Sequence, residues 1–145
     1  MTDELMIRKA NLTDSAHVAE LSGTLGYPVS SEVMRDRLVR VSKLDTHVVF
    51  VADAKGEIVG WTHAAEQEIL ETGCGCEIWG LVVAENQRGR GVGRLLIQAI
   101  EQWALARGLN QISVRSNVIR PESHQFYERI GYERFKTQHA YRKTL

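Results

Sequence analysis

Residues 88–94, Arg-Gly-Arg-Gly-Val-Gly-Arg, place three arginines and three glycines within seven positions, a combination suited to holding a pyrophosphate. Glycines let phosphate oxygens approach the backbone, amides at the start of a helix converge on one spot with the positive end of the helix dipole behind them, and Arg88, Arg90 and Arg94 add full charges. Spacing separates this turn from two commoner phosphate sites. The Gly-Lys-Ser/Thr ending of a Walker A loop is absent. The run Gly89-x-Gly91-x-Gly93 does not match GxGxxG, and it lies past mid-chain with no acidic residue closing a following strand, so it is a poor dinucleotide fingerprint. Cys74 and Cys76 form a lone Cys-x-Cys with no second ligand pair, too close together for easy disulfide geometry. Neither structural zinc nor a disulfide framework is expected.

These residues need elements to position them. Residues 6–10 read as a first short strand, after which Thr13 or Asp14 can cap a helix carrying Val18, Leu21 and Leu25. Gly26-Tyr27-Pro28 breaks it. Ser30 or Ser31 can cap a second helix with Met34, Leu38 and Val41 on one face and Arg35, Arg37 and Arg40 on the other. A hairpin follows, its strands joined at Asp53-Ala54-Lys55-Gly56, and Gly73-Cys74-Gly75 reads as a second turn. Residues 77–83 form a strand that becomes apolar on both faces, as a central strand does. From Gly91 a helix carries Val92, Leu95, Leu96, Ala99, Ile100 and Trp103 on one broad face and ends at Gly108. Ile112 and Val114 alternate in a strand, Pro121 opens a last helix that Gly131 closes, and the tail from Tyr132 alternates loosely, as a final strand or hairpin would. This order predicts a mixed α/β sheet covered by helices.

The 145 residues suit one domain spanning 1–145, and 43% apolar with 25% charged residues is a globular balance. No run is long enough to span a membrane, and no leader pattern opens the chain, so a cytoplasmic protein with no membrane partner is expected. Net charge is zero, which argues against nucleic acid as a partner. Its distribution is uneven: residues 57–85 hold six acidic and no basic residues, and residues 86–145 hold eleven basic and four acidic.

The segment Arg88-Gly89-Arg90-Gly91-Val92-Gly93 resembles the Arg/Gln-x-x-Gly-x-Gly/Ala pyrophosphate loop of the GNAT superfamily of acetyl-CoA-dependent N-acetyltransferases. Glu77-Ile78-Trp79-Gly80-Leu81-Val82-Val83 is similar to the strand that precedes that loop, Phe126-Tyr127-Glu128-Arg129-Ile130-Gly131-Tyr132 to the family's Phe-Tyr-x-x-x-Gly-Phe/Tyr segment, and Ile7-Arg8-Lys9-Ala10 to its first strand. The resemblance covers the whole chain in order. It implies a GNAT-like mixed, mostly antiparallel sheet with a central parallel splayed strand pair and helices on both faces. Acetyl-CoA, a cosubstrate needing no metal, would lie in the gap, with Leu81, Val82 and Val83 along its pantetheine arm and Arg88, Gly89, Arg90, Gly91, Val92, Gly93 and Arg94 around its pyrophosphate. Asn117 resembles a cofactor-bonding asparagine, although it stands further from Tyr127 than the family spacing, which puts Arg120 at the matching position.

By the same resemblance Tyr127 is the acid that returns a proton to the departing thiolate, and Glu77 holds the place of a catalytic base. His63, whose ordinary pKa lies near neutrality, is a second base candidate. The implied activity is acetyl transfer to a primary amine by direct attack. A non-catalytic acyl-CoA-binding or sensor module and a protein N-terminal or lysine acetyltransferase are the alternatives, and a homodimer is compatible with the family. Because Glu66, Glu68 and Glu77 lie on strands expected to border the acceptor, and Tyr27 with Trp79 offer aromatic faces, a small cationic amine is the expected acceptor.

Overall fold

A computed structural model of the chain describes residues 4–115 and 121–145. Two compact units emerge, Met1–Arg115 and Ser116–Leu145. The first contains β1 (Leu5–Lys9), α1 (Ser15–Thr24), α2 (Ser31–Ser42), β2 (His47–Ala54), β3 (Glu57–Ile69), β4 (Gly73–Val83), α3 (Val92–Ala106) and β5 (Ile112–Val114), and the second contains α4 (Pro121–Arg129). The sheet runs β1-β2-β3-β4-β5 in chain order. Pairs β1 to β4 are antiparallel and β4–β5 is parallel. Among the described residues no helix is long and apolar enough to cross a membrane.

Strand alternation divides the core between two faces. Val51, Ile58 and Val82 pack with Val18, Leu21, Met34 and Leu38 of α1 and α2. Ala52 and Val59 pack with Val92 and Leu96 of α3. Ser30 caps α2, its hydroxyl accepting from the Val33 amide at 3.1 Å. Lys55 and Gly56 both have positive φ, at 53° and 92°, the backbone a two-residue hairpin turn requires.

Two expectations are corrected. Gly73-Cys74-Gly75 is not the turn but the start of β4, paired with Ile69, Glu68 and Gln67; only Gly73 keeps a turn-like φ, at 83°, and the chain reverses through residues 70–72. Residues 132–145 carry no strand or helix. Phe135, Tyr141 and Leu145 are 71%, 92% and 108% exposed, so these large apolar side chains give a strand no buried face to present.

A half-buried ion pair ties β1 and the end of β2 to the residue before α1. The Arg8 guanidinium donates to both Asp14 oxygens at 2.9 and 3.0 Å and to Asp53 at 3.1 Å. Burial alone would raise the Asp14 pKa, but Arg8 and the Asn11 amide outweigh it and hold the carboxyl below its ordinary value. Its stabilising contribution is therefore full above the ordinary carboxylate range and lost as pH falls through the depressed value. Arg8→Ala is expected to cost about 1–3 kcal/mol in denaturant unfolding at neutral pH, because it leaves the buried Asp14 carboxylate with the Asn11 amide and no cation. A loss below about 1 kcal/mol, the size of an exposed pair, would mean that water already serves Asp14.

Candidate active site

Strand β4 delivers the chain through a short 3-10 turn, Glu85–Gln87, to the Gly/Arg segment and then into α3. Gly89 and Gly91 have φ of 78° and 84°, and a Cβ built on either meets nothing within 4 Å, so open space lies where their side chains would point. Gly91 is the N-cap of α3. Its carbonyl accepts from Leu95 at 3.1 Å, which leaves the amides of Val92, Gly93 and Arg94 ahead of the first intrahelical bond. Arg88, Arg90 and Arg94 are exposed. Arg88 Nε donates to the Val83 carbonyl at 3.3 Å, tying the turn to the end of β4. Convergent amides, open approach and three cations fit a pyrophosphate.

β5 pairs with β4 only at Cys76–Ile112, Glu77–Ser113 and Ile78–Val114, while β4 continues to Val83. Among the described residues, 79–83 thus have no strand on that side, which is the splay the family resemblance implies. Leu81 and Val83 are half-buried on the α3 face. Val82 is 3% exposed within the α1–α2 face, so it has only backbone to offer a ligand.

On the face covered by α1 and α2, a cleft of about 520 Å³ is lined by residues that include Tyr27, Trp61, His63 and Trp79, within the range of about 300–1,000 Å³ typical of small-molecule pockets. Register builds it. Val49 pairs with His63 and His47 with Ala65, so the two imidazoles are diagonal neighbours. His47 Nδ1 and His63 Nε2 lie 3.0 Å apart. Between Ile78 and Gly80 the register with β3 slips, leaving Trp79 as the extra residue of a bulge that aims its ring at both histidines, with centroids at 5.2 and 5.3 Å. Burial and the neighbouring His47 push the His63 pKa down to about 4. His63 is neutral at physiological pH. Gly80 permits this packing, since a Cβ there would stand 2.9 Å from the Trp61 ring.

Glu77 is 8% exposed. Its carboxylate accepts from Trp79 Nε1 at 3.0 Å and lies 3.6 Å from Arg115 Nε. His63, and not Glu77, contributes to the cleft lining. The acidic acceptor wall expected from sequence is corrected: Glu66 is bound by Arg107 at 2.8 Å, Glu68 lies near the β3–β4 turn opposite Cys74, and neither lines the cleft. Arg37 and Arg40, expected on the outer face of α2, do line it. His47, which sequence reasoning passed over, is brought in by register alone. In the second unit the Tyr127 ring packs edge-on to Phe126 and Tyr132, at 5.1 and 5.9 Å. Burial pushes its phenol up to about 12. Asn117 and Arg120 lie outside the described residues.

Cys76 is buried, and burial with the charges of Glu66 and Glu77 pushes its thiol up to about 11. Cys74 is exposed, and local desolvation with Glu68 and Glu66 raises its thiol as well.

Residues 16–132 match the family model described as acetyltransferase (GNAT) family. The chain belongs to that family and has its acetyltransferase fold. It is 28% identical over 135 residues to an uncharacterized N-acetyltransferase of Chlorobaculum tepidum, covering 92% of this chain and 78% of that protein. It is 24% identical to the aminoglycoside N(6')-acetyltransferase type 1 of Salmonella enteritidis, covering 94% and 97%. An aminoglycoside N-acetyltransferase, AAC(6')-Iy, solved in complex with CoA superposes with a TM-score of 0.87 at 22% identity, covering 97% of this chain and 95% of that one. The likeness to that structure is one of fold.

Proposed function

We propose that the protein transfers acetyl from acetyl-CoA to the primary amine of a small molecule. The observation that carries this reading is the positive-φ Gly/Arg turn at the N-terminus of α3, placed directly after a strand whose outer half, paired with β3 on one side, has no described strand on its β5 side. Acetyl-CoA supplies the activated acetyl group. The amides of residues 89–94 and the three arginines hold its pyrophosphate, and the β4 backbone at Leu81, Val82 and Val83 bonds its pantetheine arm. Amines arrive protonated at neutral pH and must lose a proton before attack. His63 borders the cleft with a neutral imidazole whose lone pair can accept that proton. His47 Nδ1 lies 3.0 Å from His63 Nε2, so the two rings form a hydrogen-bonded path away from the cleft. Glu77, the base candidate from sequence, sits behind Trp79 and holds that ring in place. Tyr127, kept protonated by its burial, supplies the proton to the leaving thiolate.

The finer expectation of a cationic acceptor draws support from the aminoglycoside relatives but none from Glu66 or Glu68. Supplying acetyl-CoA to the protein in a metabolite extract and reading acetylated amines by mass spectrometry tests the activity without choosing an acceptor. Amine-dependent thiol release with a matching acetylated product is expected. Tight CoA binding with no acetylated product would favour the sensor module instead.

A further inference from the structure

The cleft lining bears on what the acceptor is, given the transfer reading above. Arg37 and Arg40 stand three positions apart on α2 and so share a face. Both line the cleft, both are exposed at its rim, and among the described residues neither has an ion-pair partner. No carboxylate lines the cleft with them. Asp36, one turn before Arg40 on the same helix, forms no ion pair within 4 Å among the described residues and does not line the cleft, while Glu77 is bound to Trp79 and Arg115 and Glu66 to Arg107. His63 adds no charge of its own at neutral pH.

A second observation is an unmet donor on a ring that borders the cleft. Trp61 lines it, and its Nε1 is buried with no hydrogen-bond partner. An indole N–H can only donate, and leaving a buried donor unmet costs about 1–3 kcal/mol. The cleft therefore carries positive charge from its two arginines, and among the described residues no carboxylate lines it to meet a polycation. A free polyamine would meet like charge at the entrance. A zwitterion would not, because its own carboxylate compensates the arginines.

We infer that the acceptor is an amino carboxylate, an amino acid or a close derivative. Arg37 and Arg40 hold its carboxylate in the forked geometry guanidinium favours, the Trp61 N–H donates to an oxygen of the same molecule, and Tyr27 and Trp79 pack its uncharged side chain. The amine then lies toward His63.

The test uses the intact protein with acetyl-CoA, thiol release as readout, and four matched sets of acceptors. These are free L-amino acids, their methyl esters, the corresponding decarboxylated amines, and the polycations spermidine and kanamycin. The best free amino acid is expected to exceed its ester in kcat/KM by tenfold or more. The double variant Arg37→Gln/Arg40→Gln should close most of that gap, and Trp61→Phe should raise KM for the acid while CoA affinity holds. An ester equal to its acid, a polycation preferred over every acid, or an acid–ester gap unchanged in the double variant would overturn the inference. Calorimetry of the same sets with CoA present separates the two readings. Acid-selective binding without thiol release keeps the carboxylate seat and removes the transfer activity, whereas thiol release without acid selectivity keeps the transfer and removes the seat.

Discussion

Tyr127→Phe is expected to lower kcat by roughly tenfold to several hundredfold while leaving CoA affinity and unfolding unchanged, the size of effect that removal of a general acid produces. The ring stays, so its packing against Phe126 and Tyr132 stays with it. Only the hydroxyl is lost. With its pKa pushed up to about 12, the phenol is protonated at every pH at which the protein would be assayed, as an acid for a departing thiolate must be. The assay has to be limited by chemistry, shown by a solvent isotope effect on kcat. An unchanged kcat under that condition would make Tyr127 a packing residue.

Gly91→Glu is expected to weaken CoA binding by about a hundredfold or more, near 2.7 kcal/mol, through both volume and charge. Left-handed backbone complicates any substitution there, because φ is 84° and most side chains are strained in that region. Gly91→Asn is the control, since asparagine adopts this conformation more readily and adds no charge. If calorimetry shows both variants binding CoA like the parent, the open space beyond Gly91 is not the phosphate site. If both lose binding equally and melt early, strain and not blockage explains the loss.

Much of this architecture is legible in the sequence because it is encoded locally. The Gly91 cap, the apolar stripe of α3 and its closure at Gly108 occupy adjacent positions, as does the Asp53–Gly56 turn. The stripe is slightly misplaced: Ile97 and Ala104 are buried, while Leu95 is 38% exposed. What sequence leaves hidden depends on partners distant along the chain. His47 matters only because β2 and β3 pair in a register that brings His63 beside it, and Trp79 only because β4 bulges there. Glu66 reads as an acceptor-side carboxylate until Arg107, 41 positions away, is found bound to it. Reading Arg37 and Arg40 as the face opposite the apolar stripe overlooks that a helical wheel of α2 puts Arg37 about 40° from Val41 and Arg40 about 100° away, close enough for long arginine side chains to reach along a cleft edge. The loose alternation after Tyr132 reads as a strand until burial is counted.

The cysteines of the β3–β4 hairpin have a bearing on the protein's tolerance of its own product. Acetyl transfer from acetyl-CoA liberates a free thiol, and in its oxidised disulfide form that thiol can cap protein cysteines by thiol–disulfide exchange. Exchange needs an attacking thiolate. Desolvation, with the neighbouring carboxylates adding to it, raises both thiols, Cys76 up to about 11, and Cys76 is also closed to solvent. Desolvation at the hairpin, reinforced by the acidic segment that sequence reading assigned to substrate attraction, therefore keeps its sulfur chemically quiet in a protein whose reaction generates thiol at every turnover.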